Sequence, residues 1–285
     1  MTGKDLPLIK EYRIDMIEKC LECIDRYAYN RDKQKICVLD LYPNKKNRSM
    51  EDRDKSVFRG MVILSLRQLG LILGYENAIR LSANGKLLVE SKSIDQLLHN
   101  RVRRAIIYEI DETVFGFIDT IKSKNLSLFE DFCKVLFEKI DAPSEKQKRE
   151  RISHWVSILK QVELIDYSSK QISVNNRNLN QTLNDINAKN LLLFEKYFFE
   201  TYFQLGRDSA GVVDIADLRE RVSVRMLREC NVILTEKRFD NMLRNILSGT
   251  HKYLVSLGKP MGAREKLFEY KGGYFRTILI KAQRV

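Results

Sequence analysis

The stretch that decides the fold occupies residues 58–81 and reads FRGMVILSLRQLGLILGYENAIRL. A matching stretch at residues 151–174, an interval of 93, reads RISHWVSILKQVELIDYSSKQISV. In the first copy Ile63, Leu66 and Leu69 follow helical spacing, which gives a helix one buried stripe. The residues after them alternate on either side of a polar tip, which is typical of a short β-hairpin. Each copy is therefore predicted to be a helix that runs into two short strands.

The two copies align without a gap, so their apolar residues share one pattern. Ile63, Leu66, Leu69, Leu71, Ile72 and Ile79 fall opposite Val156, Leu159, Val162, Leu164, Ile165 and Ile172. A helix packed on a two-stranded wing resembles the outline of a winged helix. One copy alone would fit any α+β domain with a helix-strand-strand unit, but two copies in register favour a repeated winged-helix module.

Length and hydropathy indicate a folded chain with two or three small domains. The 285 residues include 44% hydrophobic residues, enough to fill several cores. The longest apolar stretch, residues 61–74, is interrupted by Arg67 and Gln68 and is too short to span a bilayer. The beginning of the chain lacks the apolar core of a signal peptide. We therefore expect a cytoplasmic protein with no membrane partner.

The excess of basic residues is concentrated near the end of the chain. Fifty Lys and Arg against thirty-eight Asp and Glu leave a net charge of +12. Residues 237–285 hold eleven basic and three acidic residues, a local +8, whereas residues 1–100 carry +4 and residues 101–236 are neutral. Such a field attracts polyanions and predicts binding that weakens steeply with salt. RNA and acidic proteins would be attracted in the same way, so charge alone does not select DNA.

The cysteines do not form a convincing metal site. Cys20 and Cys23 have the spacing of half a zinc site, and Cys37 could be a third ligand, but no second Cys-x-x-Cys or His-x-x-x-His follows. We expect free thiols, in the core or partly exposed, rather than zinc, and no cofactor. An odd number of cysteines without a secretion signal also favours a reducing compartment.

The predicted fold class is mainly α with small β-hairpins (α+β), arranged as tandem winged-helix units. Residues 1–92 hold an N-terminal helix plus the first unit, and residues 93–178 hold the second. Residues 191–285 hold an aromatic helix plus a third, basic unit. That third unit has the order strand, helix, helix and β-sheet, and its second helix begins at Thr235 as the N-cap.

Several local predictions accompany this division. Residues 8–29 form a long first helix, and residues 36–43 form a strand ended by Pro43. Residues 175–190, which include seven asparagines, are a surface connection. Ser127 and Glu130 form a capping box. The aromatic residues of 191–205 belong to a core or a domain interface rather than to a platform that stacks bases.

The third unit supplies most of the candidate DNA contacts. The helix that begins at Thr235 would enter the major groove, with Phe239, Met242, Leu243 and Ile246 facing inward. Its outward residues would read base edges, because Arg and Asn make bidentate contacts with guanine and adenine: Lys237, Arg238, Asn241, Arg244 and Asn245. A further basic set suits phosphates or the minor groove: Lys259, Arg264, Lys266, Lys271 and Arg276.

The second unit offers a smaller set of contacts. Its helix buries Ile152, Val156 and Leu159 and would present Lys146, Arg149, Ser153, Ser157 and Lys160, while its wing tip carries Lys170. His154 is either a surface histidine or a phosphate contact. The first unit is mixed in charge near its helix and could equally bind a protein. Arg101, Arg103 and Arg104 would be explained by a phosphate or carboxylate partner, or by simple solvation.

Local motifs do not indicate catalysis, and we predict no catalytic residue. Glu90-Ser-Lys92 and Glu269-Tyr-Lys271 match the Glu-x-Lys core of metal-dependent nucleases, but about two such matches are expected by chance in this composition. Nucleotide-binding loops and the Gly-x-Ser-x-Gly nucleophile motif are absent from the sequence. A nuclease whose carboxylates come from distant segments stays an alternative.

The order of units resembles two families. Tandem winged-helix transcription regulators share the helix-wing units, most typically around residues 69–86. The DNA-recognition regions of type IIS restriction endonucleases also place two or three such units in a row, and this resemblance covers residues 55–91, 125–176 and 212–281. It implies duplex binding, with any nuclease on another domain or chain. We therefore expect a non-enzymatic DNA-binding protein of transcription control or of a restriction-modification or antiviral defence assembly; the alternative is an adaptor subunit that binds proteins.

Overall fold

The protein is mainly helical, with small antiparallel sheets, as the α+β prediction requires. Our computed structural model describes residues 8–43, 49–140, 142–188, 190–207, 210–249, 253–260 and 266–282. We refer to residues 8–94 as the first part, 96–187 as the second part and 191–282 as the third part. None of the helices in these described ranges is long and apolar enough to cross a membrane.

The first part has two helices, a long helical run, a hairpin and a closing helix. The run is wound as a π-helix over Asp54–Ile63, between short α-helical ends. Ser82 caps the closing helix, because its hydroxyl accepts the backbone amide of Gly85. In chain order the elements are α1 (Ile14–Arg26), α2 (Arg31–Asp40), α3 (Met50–Arg53), α4 (Leu64–Gln68), β1 (Ile72–Leu73), β2 (Arg80–Leu81) and α5 (Ala83–Ile94).

The second part contains a hairpin preceded and followed by helices. A left-handed residue, Gly116, separates a short π-helical segment, Asp111–Phe115, from the next helix. The elements are α6 (Gln96–Ile110), α7 (Phe117–Ser123), α8 (Phe129–Phe137), α9 (Glu145–Gln161), β3 (Ile165–Ser168), β4 (Gln171–Val174) and α10 (Asn176–Asn187).

The third part adds a three-stranded antiparallel sheet in the order β5-β9-β6, with a second hairpin, β7-β8, beside it. The predicted strand, helix, helix and sheet order is present. The elements are α11 (Leu191–Gly206), β5 (Val212–Asp214), α12 (Ile215–Cys230), α13 (Glu236–Ser248), β6 (Tyr253–Gly258), β7 (Phe268–Tyr270), β8 (Gly273–Phe275) and β9 (Thr277–Ala282).

The 93-residue repeat has a direct structural counterpart. Ile72 pairs with Leu81 in the first hairpin, and Ile165 pairs with Val174 in the second, which is the same register at the same interval. All the aligned apolar positions of both copies are buried. The shared sequence pattern therefore reflects a shared helix-hairpin unit.

One backbone hydrogen bond recurs in all three parts. The amide near the start of a helix donates to the carbonyl of the residue before the last strand of the following hairpin. These bonds run from Tyr29 to Ile79 (3.2 Å), from Phe129 to Lys170 (2.9 Å) and from Ile215 to Arg276 (2.8 Å). Each part therefore contains three successive helices followed by a hairpin, and a residue at or just before the start of the middle helix is bonded next to the returning strand.

Buried apolar side chains form two cores. One contains residues between Ile9 and Leu179, together with Leu227 and Ile233, so the first two parts share it. The other contains residues between Phe194 and Ile280. In the second core, Phe194 of α11 packs edge-on against Phe239 of α13 at 5.4 Å between ring centroids. The interpretation of the aromatic helix as core is confirmed for its buried members, Phe194, Tyr197, Phe198 and Tyr202.

Two secondary-structure predictions near the start of the chain are wrong. Residues 36–43 were expected to form a strand, but Cys37 to Asp40 end helix α2, which the side chain of Asn30 caps. The first helix begins at Ile14 rather than at residue 8. Residues 8–13 stay outside the helix, and their backbone bonds to a side chain instead: the amides of Lys10 and Glu11 donate to Ser65 Oγ at 3.0 and 2.9 Å.

Two predictions in the second part are also wrong. The asparagine-rich segment is not a surface connection but helix α10, capped by Asn175 and anchored by buried Leu179 and Thr182. Ser127 does not cap α8, because that helix begins at Phe129 and Ser127 uses its carbonyl to accept the amide of Ile172 at 2.9 Å.

The expectation of free thiols is wrong for two cysteines. Cys23 of α1 and Cys37 of α2 form a disulfide, with their Cα atoms 5.7 Å apart. Cys20, Cys133 and Cys230 are free. The pairing depends on how two helices pack, which spacing within one helix does not reveal. Among the described residues, no group of three His, Cys, Asp or Glu side chains could hold a metal ion.

Candidate nucleic-acid interface

The outward face of α13 carries most of the residues predicted to read bases. Phe239, Met242, Leu243 and Ile246 are buried, as predicted. On the opposite side of the helix, Lys237, Asn241, Asn245 and Ser248 are exposed and Arg244 is partly exposed. These side chains form a polar stripe along the whole helix, which we call the α13 face. Thr235 caps the helix by accepting the Arg238 amide at 3.3 Å.

Arg238 does not belong to the α13 face, and its predicted exposure is wrong. Its side chain is only 5% exposed, and its guanidinium donates to the carbonyls of Ile233 (2.5 Å), Asp185 (2.9 Å) and Ala188. Burial lowers the pKa of Arg238. The residue lies on the flank of α13 that meets the end of α10, the segment interpreted from sequence as a loop. Arg238 therefore holds two helices together.

Lys266 is a second predicted contact that has an internal role. Its ammonium group donates to the carboxylate of Glu236 and to the carbonyl of Gly70 in the first part. Burial lowers the pKa of Lys266, although Glu236 favours its charged form. The side chain is 22% exposed. Lys266 thus joins the third part to the first rather than standing free for phosphate.

The first turn of α13 is docked against the first part. The Glu236 amide donates to Asn84 Oδ1 at 3.0 Å, and the Asn84 amide donates back to Glu236 Oε1 at 3.4 Å. Lys237 stays exposed but pairs with Glu112 at 2.6 Å. The start of α13 is therefore partly covered, and the middle and end of the α13 face, from Asn241 onward, form its open portion.

The β7-β8 hairpin lies beside this open portion and fixes Arg244. Arg244 Nε donates to the Glu269 carbonyl at 3.1 Å, and its guanidinium lies 5.6 Å from the centroid of the Phe268 ring. A second bond holds Arg244 to Asn241 Oδ1 at 2.7 Å. Lys271 is exposed at the hairpin tip. Helix and hairpin together present Asn241, Arg244 and Lys271 on neighbouring elements.

The remaining basic candidates of the third part differ in their ion pairing. Lys259 is exposed. Arg276 is 50% exposed and pairs with Asp214 at 2.9 Å. Arg264 lies outside the described residues.

In the second part, α9 presents part of its predicted face. Lys146, Arg149 and Lys160 are exposed, Ser153 and Ser157 are partly buried, and Lys170 is exposed at the hairpin tip. Arg149 already makes a bidentate pair with Glu130 at 2.6 and 2.7 Å. A phosphate would have to compete with that carboxylate.

Residues 8–13, which precede α1, lie against one side of α9. His154 Nδ1 is 2.8 Å from the carbonyl oxygen of Ile9, and the His154 ring stacks on Tyr12 with centroids 4.3 Å apart. Gln161 Nε2 donates to the Tyr12 carbonyl at 2.9 Å and to Ser157 Oγ at 3.1 Å. The chain itself therefore occupies the His154 and Ser157 side of this helix.

The arginine cluster of α6 is explained by internal carboxylates. Arg101 binds Asp185 at 2.6 and 3.0 Å, and Arg103 binds Glu18 at 2.5 Å through two nitrogens. Arg104 donates to Gln181 at 2.9 Å and pairs with Glu163 at 3.4 Å. The carboxylate interpretation, left open by the sequence, is the one observed.

Sequence reasoning missed a buried polar chain beside this cluster. Ser91 Oγ lies 2.8 Å from His99 Nδ1, and His99 Nε2 lies 3.1 Å from Glu18 Oε1. The order Ser-His-Glu resembles a hydrolase triad, but the three residues are 0%, 1% and 4% exposed, so no substrate can reach them. Burial opposes ionisation of Glu18, yet the hydrogen bonds from His99 and Arg103 hold its pKa below its usual value. The buried row of Ser91, His99 and Glu18 therefore has a structural role.

The two Glu-x-Lys tripeptides lie in unsuitable places for nuclease chemistry. Glu90 is on helix α5 and pairs with Arg228 and with Lys86. Glu269 is on β7, opposite Tyr274 in the register of the hairpin. Neither carboxylate therefore lies across a strand pair from a second one.

Comparison of the chain with protein-family models, curated proteins and solved structures found no match.

Proposed function

We propose that this protein binds duplex DNA without catalysing a reaction, and that the α13 face with the β7-β8 hairpin makes the main contact. The observation that carries the proposal is the composition of that face. Its open portion holds Asn241, Arg244, Asn245 and Ser248, all hydrogen-bonding side chains and none of them acidic. Such side chains suit base edges in the major groove.

The repeated topology supports this proposal. Helix, strand, helix, helix and a returning hairpin is the order of a winged helix, and we interpret the three parts as tandem winged-helix units. In that arrangement α13 is the groove helix and the β7-β8 hairpin extends the wing. Lys271 at the wing tip and Lys259 then suit phosphates. A role in transcription control or in a restriction or defence assembly is consistent with such binding.

A salt series of duplex binding tests the proposal. Fluorescence anisotropy of a labelled duplex, selected from a random-sequence pool by its binding to the wild type, should give an affinity whose logarithm falls linearly with the logarithm of salt concentration. We expect the double variant Asn241→Ala with Arg244→Ala to lose roughly 10-fold or more, since good base contacts are each worth about 1–3 kcal/mol. Lys196→Ala on α11 removes one exposed positive charge elsewhere and serves as the matched control.

The control decides between a local contact and a general electrostatic effect. Equal losses in the double variant and in Lys196→Ala would contradict the assignment of the α13 face. Arg238 is unsuitable for this test, because its removal would disturb the contact between α10 and α13.

A second candidate function is an adaptor that binds protein. It is favoured by the first part, where the helix equivalent to α13 presents charges of both signs that already pair with each other. Lys55 binds Glu51 at 2.6 Å, and Arg59 binds Asp54 at 2.9 Å. Absence of duplex binding at low salt would favour this adaptor function.

A further inference from the structure

A cleft of about 510 Å³ opens between the first and third parts. Tyr29, Tyr75 and Arg80 line it from the first part, and Asp217, Phe275 and Arg276 line it from the third. Junctions between packed units are common places for small-molecule sites. The cleft is on the surface between the first hairpin and the start of α12, and none of the residues proposed to form the α13 face lines it.

The charges of the cleft are balanced in pairs. Arg80 binds Asp217 at 2.6 Å and Glu220 at 3.0 Å, and Arg276 binds Asp214 at 2.9 Å. An inorganic anion or cation would have to displace one of these partners. The lining therefore disfavours a small ion, while its carboxylate oxygens retain lone pairs that can accept further hydrogen bonds.

The two tyrosines of the cleft are open to solvent. Tyr29 and Tyr75 are 61% and 51% exposed. The guanidinium of Arg67 lies over the Tyr75 ring, 4.3 Å from its centroid, and holds it in place. Covering such rings with a flat ligand would bury a large apolar area, and stacking of aromatic rings is favourable beyond that burial.

We propose that this cleft binds a nucleoside. The heterocyclic base would stack against the tyrosine rings, and the sugar hydroxyls would donate to the carboxylates of Asp214 and Asp217. Arg80 would donate to a ring nitrogen or carbonyl of the base. A neutral, flat ligand with hydrogen-bond donors and acceptors can bind to these side chains while their ion pairs stay intact. The inference does not depend on DNA binding and extends beyond it.

Equilibrium dialysis of the full chain against adenosine, guanosine, cytidine and uridine tests the proposal. At least one nucleoside should bind saturably at one site per chain. Tyr75→Ala should weaken that binding about 10-fold or more, because the stacking surface is lost, whereas Tyr75→Phe should retain it. Tyr274→Ala removes a ring that is 57% exposed on β8 and does not line the cleft, so its binding should equal that of the wild type.

Thermal unfolding adds a second readout. The bound nucleoside should raise the midpoint of the wild type and of Tyr75→Phe, because a ligand that binds only the folded state stabilises it. The proposal is overturned if all four nucleosides fail to bind saturably up to about millimolar concentration, or if Tyr75→Ala binds as tightly as the wild type. Neither result would alter duplex binding by the α13 face.

Discussion

At the scale of single residues, the basic side chains divide into those that hold the protein together and those that are open to a partner. Arg238 and Lys266 belong to the first group, since each bonds to the backbone of a distant segment of the chain. Asn241, Asn245 and Lys271 belong to the second, because each is exposed. Sequence periodicity correctly assigned the buried face of α13 but placed Arg238 outside, since its partners at Asp185 and Ala188 lie about fifty positions away in chain order.

Replacement of Arg238 separates these roles. Arg238→Ala leaves three carbonyls without their donor: Asp185 in α10, Ala188 just after α10 and Ile233 before α13. Hydrogen bonds to charged groups contribute about 1.5–3 kcal/mol each. We expect a loss of several kcal/mol in the free energy of unfolding, measured by urea denaturation. Asn245→Ala on the exposed side of the same helix should change it by less than about 0.5 kcal/mol. A similar small change in both variants would contradict the structural role of Arg238.

Glu109, at the junction of α6 and α13, makes the stability of the folded protein depend on pH. Burial raises the pKa of Glu109 from 4.5 to about 7, against the opposing effects of Thr235 and Lys237. A raised pKa in the folded state means that stability is present below pH 4.5 and is lost as the pH rises towards 7. The Glu109→Gln variant does not suffer this loss, because glutamine does not ionise. The variant should therefore be more stable than the wild type at about pH 8, and the difference in stability should be smaller at about pH 5. Thermal unfolding at the two pH values measures this, and a difference that does not grow with pH would refute it.

At the scale of elements, the structure contains a cross-link that the sequence did not predict. The disulfide between Cys23 and Cys37 spans a sequence separation of 14 residues and joins α1 to α2. Closing a loop of that size contributes about 3 kcal/mol in the chain-entropy description. We expect a reducing agent to lower the thermal midpoint of the wild type and to leave that of the Cys23→Ser/Cys37→Ser variant unchanged. Equal midpoints of the wild type with and without the reducing agent would contradict the cross-link.

Some sequence patterns were sufficient to predict the helices and strands, and others were not. The 93-residue repeat correctly predicted two hairpins and their buried residues, because the pattern of apolar residues is local to each unit. The segment at residues 176–187 was not recognised as a helix, since asparagine has low helix propensity and only Leu179 and Thr182 are deeply buried there. Its stability comes from packing against α6, supported by the Arg101–Asp185 ion pair.

At the scale of the whole molecule, the three parts pack against one another and are not independent domains. Helix α5 packs along α12, and ion pairs from Arg80 to Asp217 and from Arg228 to Glu90 cross that junction. These contacts connect residues more than a hundred positions apart, so local patterns could not reveal them. Asn84 of α5 and Lys266 bond to Glu236 and so cover the start of α13. The charge excess of +8 in residues 237–285 is consequently only partly available to a ligand.

The anisotropy titration of a labelled duplex with the wild type, with Asn241→Ala/Arg244→Ala and with the Lys196→Ala control tests the central claim most directly. The proposal predicts salt-dependent binding by the wild type, a loss of roughly 10-fold or more in the double variant, and near wild-type affinity in the control. No binding by the wild type at low salt, or an unchanged affinity in the double variant, would contradict duplex recognition through the α13 face.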